Sequence, residues 1–217
     1  MQMNWRDIEV YIFDVDGTLY PQRPVRWHML LKLMRHVLLH PAAIGELMAL
    51  YHFRKLREEE QYKASPMEAL YEVAARKAGI SEERAAEAVQ RWMFREPLPL
   101  LKKYKYEEII RFINDRYAAG KQIVFYSDYP ALEKVQAMGA GFNRIYVSGT
   151  GGLNEQKPSA DAMRIILQNT GAEKSKIVYV GDRDRKDGAS ARIAGLQYYD
   201  IQCFRQMLAK DEIVPGT

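Results

Sequence analysis

The chain has 217 residues, 47% of them hydrophobic and 28% charged, an ordinary globular composition with enough length for one compact unit that carries an inserted subdomain. This composition excludes a disordered chain, a collagen-like chain and a coiled-coil rod, and no uncharged apolar run approaches the length of a membrane span. The one cysteine, Cys203, excludes an internal disulfide framework and a cysteine-based zinc site. It also favours a reducing compartment, and residues 1–10 lack the apolar segment of a signal peptide, so we expect a cytoplasmic protein.

The net charge of +4 is unevenly distributed along the chain. Residues 20–57 carry seven lysines and arginines against one acid, Glu46, and they also contain all four histidines. A basic segment of this kind favours an anionic partner, which could be a phosphorylated substrate, an acidic lipid surface or a nucleic acid. The alternative is a solvated helix face, and no nucleic-acid-binding motif is present.

The predicted elements begin with a short buried strand at residues 8–13, which is rich in β-branched and aromatic side chains and stops at Asp14. From residue 25 to about residue 94 the apolar spacing is helical, with interruptions at Pro41 and Gly79. The sequence Glu-Pro-Leu-Pro at residues 96–99 breaks this pattern and indicates a hinge or linker.

After residue 104 the predicted strands and helices alternate. Strands are predicted at 122–126, 144–147, 176–180 and 197–199, and helices at 107–119, 130–138, 159–169 and 187–194. This alternation predicts an α/β core with a parallel sheet, helices on both faces and any site at the carboxyl ends of the strands. The all-helical block from about 22 to 103 is then an insertion after the first strand.

Four polar features stand in order at the predicted ends of the elements of this sheet. They are Asp14-Val15-Asp16-Gly17-Thr18-Leu19, Ser127, Lys157-Pro158, and Gly181-Asp182 followed by Asp187. A single aspartate at a strand end means little, because turns and helix caps use this residue often. An ordered set of four indicates a site.

This ordered set resembles the four motifs of the haloacid dehalogenase-like (HAD-like) superfamily of hydrolases, which are mostly phosphatases, and the resemblance covers nearly the whole chain. It implies a Rossmannoid α/β core at residues 1–20 and 105–217 and an all-α cap at residues 21–104, where caps in this family select substrates. It also implies a Mg²⁺-dependent phosphatase that acts on a phosphorylated small molecule.

The chemistry of the matching residues agrees with these roles. Asp14 is the expected nucleophile, which attacks phosphorus to form an aspartyl-phosphate, and Asp16 is the expected acid and base. Gly17 permits a tight turn beside the phosphate. The expected phosphate-binding set is Gly17, Thr18, Ser127, Asp128 and Lys157, in which the Ser127 hydroxyl donates to a phosphoryl oxygen and Lys157 acts as a point charge.

Carboxylates supply the expected Mg²⁺ site, because Mg²⁺ prefers carboxylates, waters and substrate phosphate. Asp14, Asp182 and Asp187 are the expected ligands, and the resemblance adds the backbone carbonyl of Asp16. Asp184 competes with Asp187, and the Gly-Asp-x-x-x-x-Asp spacing favours Asp187.

Two residues depart from common family patterns. Asp16 argues against a haloacid dehalogenase, whose first motif usually lacks that carboxylate. Asp128 stands where the family often has asparagine, and it would repel a phosphate unless it points away.

Three other functions remain open. A phosphonate hydrolase of the same superfamily would need a cap lysine such as Lys32 or Lys55, and a sugar-phosphate mutase would release no phosphate. A non-catalytic binding or assembly module would use the basic cap. Residues 27–40 join a basic stripe to a broad apolar arc, which is compatible with a buried cap helix, a substrate surface, peripheral docking on anionic lipid or a dimer interface. We expect a monomer or a homodimer.

Overall fold

The computed structural model describes residues 4–213, which divide into two compact units. One unit joins the described residues up to Pro21 with those from Lys105 onward, and the other is Gln22–Tyr104. The chain therefore leaves the first unit after a single strand, builds the second unit and then returns.

The first unit is an α/β structure built on a five-stranded parallel sheet, which confirms the predicted fold class. The strands are β1 Val10–Phe13, β2 Gln122–Ser127, β3 Arg144–Val147, β4 Ile177–Gly181 and β5 Gln197–Asp200. The helices of the chain are α1 Gln22–Leu39, α2 Ile44–Glu58, α3 Met67–Ala78, α4 Glu82–Val89, α5 Leu98–Tyr104, α6 Glu107–Ala118, α7 Leu132–Met138, α8 Ala160–Thr170, α9 Ala189–Ala194 and α10 Ile201–Ala209. Across the sheet the strands run β3-β2-β1-β4-β5, so β1 is central.

The central strand is apolar throughout because helices cover both faces of the sheet. Tyr11 on one face makes an edge-to-face contact with Phe112 of α6, and Phe13 makes one with Phe204 of α10. The alternate residues of β1, Val10 and Ile12, belong to the core cluster that contains residues of α8 and α9. This alternation gives a three-layer unit with two separate cores.

Helix α10 was not predicted from the sequence. The Asp200 side chain accepts a hydrogen bond from the Gln202 backbone N–H and caps this helix, and Ile201 and Phe204 bury its apolar face. Two other boundaries differ from prediction. Helix α7 begins at Leu132 rather than at residue 130, and the helix predicted at 187–194 consists of a π-helical turn, Asp184–Gly188, followed by α9.

The second unit contains α1 to α5. Helix α2 packs against α3 and α4 through the small side chains Ala49, Ala75 and Ala85, which let the three helix backbones approach closely. Gly79 is the C-cap of α3, and Ser81 is the N-cap of α4, where its hydroxyl accepts a hydrogen bond from the Arg84 backbone N–H.

The helices within residues 4–213 do not include a candidate membrane span. None of the helices in this part of the chain has both the length and the apolar character that crossing a bilayer requires.

Candidate active site at the carboxyl edge of the sheet

The sheet brings the chemistry-bearing residues to one edge. Strand β1 pairs with both β2 and β4, with Phe13 in register with Phe125 on one side and with Val180 on the other. The backbone N–H of Asp14 continues this ladder by donating to the carbonyl of Val180 at 2.9 Å. Because all five strands are parallel, Asp14, Ser127 and Asp182 stand where three adjacent strands end.

Asp14 is buried, and both of its carboxylate oxygens are held. Oδ1 accepts a hydrogen bond from Lys157 Nζ at 2.6 Å, and Oδ2 accepts one from the Thr18 hydroxyl at 3.0 Å. Burial raises the pKa of Asp14 well above its usual value, and this effect outweighs the opposing charge of Lys157; the nearby carboxyls of Asp187 and Asp182 raise the pKa further. A divalent cation here would favour the ionised form.

Lys157 is the cation at the centre of the site. Its side chain is 2% exposed, and Nζ lies 2.6 Å from Asp14 Oδ1 and 2.8 Å from Asp187 Oδ1. The ammonium also lies 4.8 Å from the ring centroid of Tyr126. Burial acts to lower the pKa of Lys157, but the charges of Asp14 and Asp187 raise it well above its usual value, so the side chain keeps its proton.

Three carboxylates form a cluster that could hold a metal ion. Asp14, Asp182 and Asp187 each offer an oxygen, and these oxygens lie within 4.8 Å of one another. Asp182 Oδ1 is buried and has no hydrogen-bond partner among residues 4–213. Burial, followed by the charge of Asp187, raises the pKa of Asp182 to about 6. Clustered carboxylates with an unsatisfied buried oxygen fit a hard cation such as Mg²⁺.

Asp187, rather than Asp184, reaches this cluster. Asp187 Oδ1 accepts hydrogen bonds from Lys157 and the Tyr179 hydroxyl, and Oδ2 accepts one from the Arg183 backbone N–H at 3.1 Å. Asp184 instead forms an exposed ion pair with Arg192. The donors around Asp187 suit an anchor for Lys157 at least as well as a metal ligand.

Asp16 has a partner that sequence reasoning missed. Lys134 of α7 donates to both oxygens of Asp16, at 2.7 and 2.6 Å, and the Tyr20 hydroxyl donates to Oδ1. The side chain of Lys134 is only 7% exposed, so the ion pair is largely shielded from water. Positions 16 and 134 are far apart in the chain and no motif links them, which left the sequence with no signal for this contact.

Of the remaining expected phosphate-binding residues, Gly17 and Thr18 lie in the turn after β1, and Ser127 is the last residue of β2. The Ser127 hydroxyl is buried and accepts a hydrogen bond from the Tyr129 backbone N–H at 3.2 Å, which leaves its proton to donate. Gly17 has a φ of 106°, a conformation that side chains oppose. The Thr18 hydroxyl is directed at Asp14, so it orients the carboxylate.

The Asp128 carboxylate is engaged with groups of the first unit. Oδ1 accepts hydrogen bonds from the Ser148 hydroxyl and the Lys157 backbone N–H, and Oδ2 accepts one from Lys186 Nζ at 2.9 Å. Burial acts to raise the pKa of Asp128, but Lys157 and Lys186 hold it below its usual value. Asp128 thereby holds the backbone at Lys157 in place. No sequence motif marks its other two partners, Ser148 and Lys186.

Comparisons with known proteins agree with this arrangement. The model of a family described as haloacid dehalogenase-like hydrolase matches residues 8–195. No curated protein matches the sequence.

Several solved structures are similar in fold. The 2-haloacid dehalogenase from Pseudomonas syringae pv. Tomato DC3000 has a TM-score of 0.64 at 20% identity, with coverage of 88% of this chain and 85% of that one. The HAD-hydrolase YfnB from Bacillus subtilis, bound to magnesium, has a TM-score of 0.64 at 14% identity, with coverage of 94% and 98%. CbbY from Rhodobacter sphaeroides, in complex with phosphate, has a TM-score of 0.54 at 19% identity, with coverage of 89% and 85%. At these identities the similarity establishes a shared fold and leaves the reaction open.

Proposed function

The chain belongs to the haloacid dehalogenase-like hydrolases, and on that premise we propose that it is a Mg²⁺-dependent phosphatase that hydrolyses a phosphomonoester through an aspartyl-phosphate on Asp14. One observation carries the proposal: the buried Asp14 carboxylate is held by Lys157 and Thr18 and lies within 4.8 Å of oxygens of two further carboxylates. Such a cluster suits the charge of a phosphoryl group and its counter-ion, because catalysis of phosphoryl transfer is mainly positioning and charge stabilisation.

In the first step an oxygen of Asp14 bonds to phosphorus while the bond from phosphorus to the ester oxygen breaks. Asp16 gives a proton to the departing oxygen, and the product alcohol leaves. Lys157 and the Ser127 hydroxyl hold phosphoryl oxygens during the transfer. Thr18 holds Asp14 Oδ2 by its hydrogen bond, and Lys157 holds Asp14 Oδ1.

In the second step a water oxygen bonds to phosphorus while the bond from phosphorus to Asp14 breaks. Asp16, now ionised, accepts a proton from that water, which restores both carboxyl groups and releases inorganic phosphate. Lys134 holds both oxygens of the ionised Asp16 carboxylate, so it orients this group to accept the proton from water.

Asp14, Asp182 and the backbone carbonyl of Asp16 would hold Mg²⁺, with Asp187 at the edge of the set. When bound, Mg²⁺ would neutralise phosphoryl charge and keep Asp14 ionised. The magnesium in the similar YfnB structure supports this assignment.

We propose a phosphate ester rather than a haloacid as the substrate because Asp16 is present. Dehalogenation through an aspartyl ester needs no second carboxylate two residues after the nucleophile, whereas ester hydrolysis needs an acid for the leaving oxygen. Asp16 is present here and is positioned by two donors, Lys134 and Tyr20. The phosphate in the similar CbbY structure is compatible with the same choice.

We further propose that the unit Gln22–Tyr104 is the cap that selects the substrate and that the enzyme works in the cytoplasm. The unit follows the first motif directly, where caps of this family are inserted. The exposed free thiol of Cys203 suits a reducing compartment.

The test is product release from a panel of compounds with Mg²⁺ and with EDTA. The panel contains polar and apolar phosphomonoesters, a phosphonate and a 2-haloacid, and both phosphate and halide are measured. We expect Mg²⁺-dependent phosphate release that Asp14→Asn abolishes and that the exposed control Asp161→Asn leaves unchanged. Halide release, or phosphate release that survives in Asp14→Asn, would overturn the proposal.

A further inference from the structure

Helix α1 presents large apolar side chains to solvent. Trp27, Leu31, Met34 and Leu38 follow one another at spacings of four, three and four residues, which places them on one helix face. Their exposed fractions are 60%, 52%, 50% and 80%. Exposed apolar rows of this kind mark interaction sites more often than isolated surface residues do.

This row is distinct from the face that packs inside the second unit. Val25 and Leu33, which are buried, lie on the opposite side of α1 from Leu31 and Leu38. Helix α1 is therefore apolar on two opposite faces, and packing within Gln22–Tyr104 accounts for only one of them. Helix α2 continues the exposed apolar character with Ile44, Met48 and Tyr51, which are 52%, 40% and 56% exposed.

The charge of α1 has one sign. The helix contains Arg23, Arg26, Lys32 and Arg35 and no aspartate or glutamate. Lys32 forms an ion pair with Glu96, while Arg23, Arg26 and Arg35 have exposed side chains. The apolar row is thus bordered by arginines.

We propose that α1 docks this protein on an anionic lipid surface. Leu, Met and Trp side chains of the exposed row would enter the boundary between headgroups and acyl chains, while the arginines contact lipid phosphates. Trp27 suits that boundary because its indole is apolar with one polar N–H. This inference does not depend on which reaction the enzyme catalyses.

A second copy of the chain fits this face less well. An isologous dimer would set α1 against its own counterpart and bring two helices without acids together, where like charges repel. An anionic lipid surface complements these charges and also buries the apolar row. A soluble polyanion would complement the charges but would leave the apolar row in water. Charge and apolarity together favour lipid.

The test is binding of the full chain to vesicles, measured by co-sedimentation and by tryptophan fluorescence. Vesicles of phosphatidylcholine mixed with phosphatidylglycerol should bind the protein and shift its emission to the blue, and Trp27→Phe should remove the shift. Each of Leu31→Ser and Leu38→Ser should weaken binding by about tenfold, and Arg35→Gln by about fivefold. Phosphatidylcholine alone should bind much less.

Ile193→Ser is the matched control, since Ile193 is also about half exposed but lies in α9 of the first unit. It should bind like the parent chain. Absence of binding to the mixed vesicles would overturn the proposal, as would a dimer in light scattering that Leu38→Ser converts to a monomer. Because phosphate release is measured without vesicles, failure of the docking proposal and failure of the proposed reaction are separately visible.

Discussion

Lys157 Nζ lies 2.6 Å from Asp14 Oδ1, although the two residues are 143 positions apart in the chain. The same ammonium lies 2.8 Å from Asp187 Oδ1, so one buried cation holds two buried acids. Burying an unpaired charge costs several kcal/mol, which is on the order of the net free energy of unfolding of a whole domain. The pairing therefore offsets the cost of burying these charges. It also holds the proposed nucleophile, Asp14, beside a cation that can contact a phosphoryl group.

Replacing Lys134 tests whether it orients the acid and base. Lys134→Met removes both hydrogen bonds to the Asp16 carboxylate. We expect kcat to fall by roughly tenfold, a part of what general acid–base catalysis contributes, with an altered pH profile and unchanged Mg²⁺ affinity. The exposed neighbour Glu133→Gln is the control. An unchanged pH profile in Lys134→Met would contradict the orienting role.

Asp187 and Asp184, which compete for the second acidic position of the fourth motif, should behave differently. Asp187→Asn weakens the anchor of Lys157, and we expect activity to fall roughly 10- to 100-fold, as for groups that orient site residues. Asp184→Asn changes only an exposed ion pair with Arg192 and should leave activity unchanged. Steady-state kinetics of the two variants test this difference. A larger loss of activity in Asp184→Asn than in Asp187→Asn would refute the assignment of the anchoring role to Asp187.

Gly181 gives Asp187 the space it needs. A Cβ at this position would lie 2.5 Å from the Cβ of Asp187, closer than real contacts allow. Gly181→Ala should lower the free energy of unfolding by about 1–3 kcal/mol and reduce activity by displacing Asp187 from Lys157.

Gly139→Ala provides the comparison for Gly181→Ala in urea denaturation and activity assays. Gly139 has a φ of 74° and no neighbouring atom within 4 Å of an added Cβ, so this variant measures backbone strain without crowding. It should lose some stability and keep its activity. Full activity in Gly181→Ala would contradict the packing argument.

Mg²⁺ affinity should increase with pH. Burial, with the charge of Asp187, raises the pKa of Asp182 to about 6, and burial also raises the pKa of Asp14. Both groups therefore keep protons in the metal-free protein at pH values where ordinary carboxyls, with pKa near 4, have lost them. Because Mg²⁺ binds the carboxylate form, binding must release these protons, and affinity should rise from about pH 4, through the range where Asp182 titrates, and on toward the raised pKa of Asp14, about 8.

Isothermal titration calorimetry in two buffers of different ionisation enthalpy measures this proton release. We expect proton release that continues above pH 6, because the pKa of Asp14 is raised to about 8, and less release around pH 6 in Asp182→Asn. Mg²⁺ affinity that stays constant between pH 5 and pH 7 would contradict the protonation of the cluster. These pH values bracket the raised pKa of Asp182.

Local patterns were enough to predict the sheet, and they placed the proposed site residues at the ends of its strands. Alternating strands and helices predicted a parallel sheet, which the structure confirms, and parallel strands bring their carboxyl ends to one edge. Asp14 and Asp182 directly follow β1 and β4, and Ser127 is the last residue of β2, so their shared location follows from topology alone. The membership in the hydrolase family is confirmed as well.

Contacts between distant side chains were not predictable in this way. Lys134 reaches Asp16 from α7, and Lys186 reaches Asp128 from the turn before α9, and nothing local marks either lysine as different from a surface one. Asp128 was expected to repel a phosphate unless it points away, and its oxygens instead accept hydrogen bonds from three donors of the first unit. Such pairings depend on how helices lie on the sheet, which single-sequence periodicity does not specify.

The proposed intermediate on Asp14 is tested most directly by trapping it. The enzyme is mixed with Mg²⁺ and a phosphomonoester that it hydrolyses, labelled in its phosphoryl group, and the reaction is quenched with acid within a single turnover. We expect the label on the peptide that contains Asp14, and none in Asp14→Asn. Phosphate release without labelled enzyme, at a rate that Asp14→Asn leaves unchanged, would contradict the account.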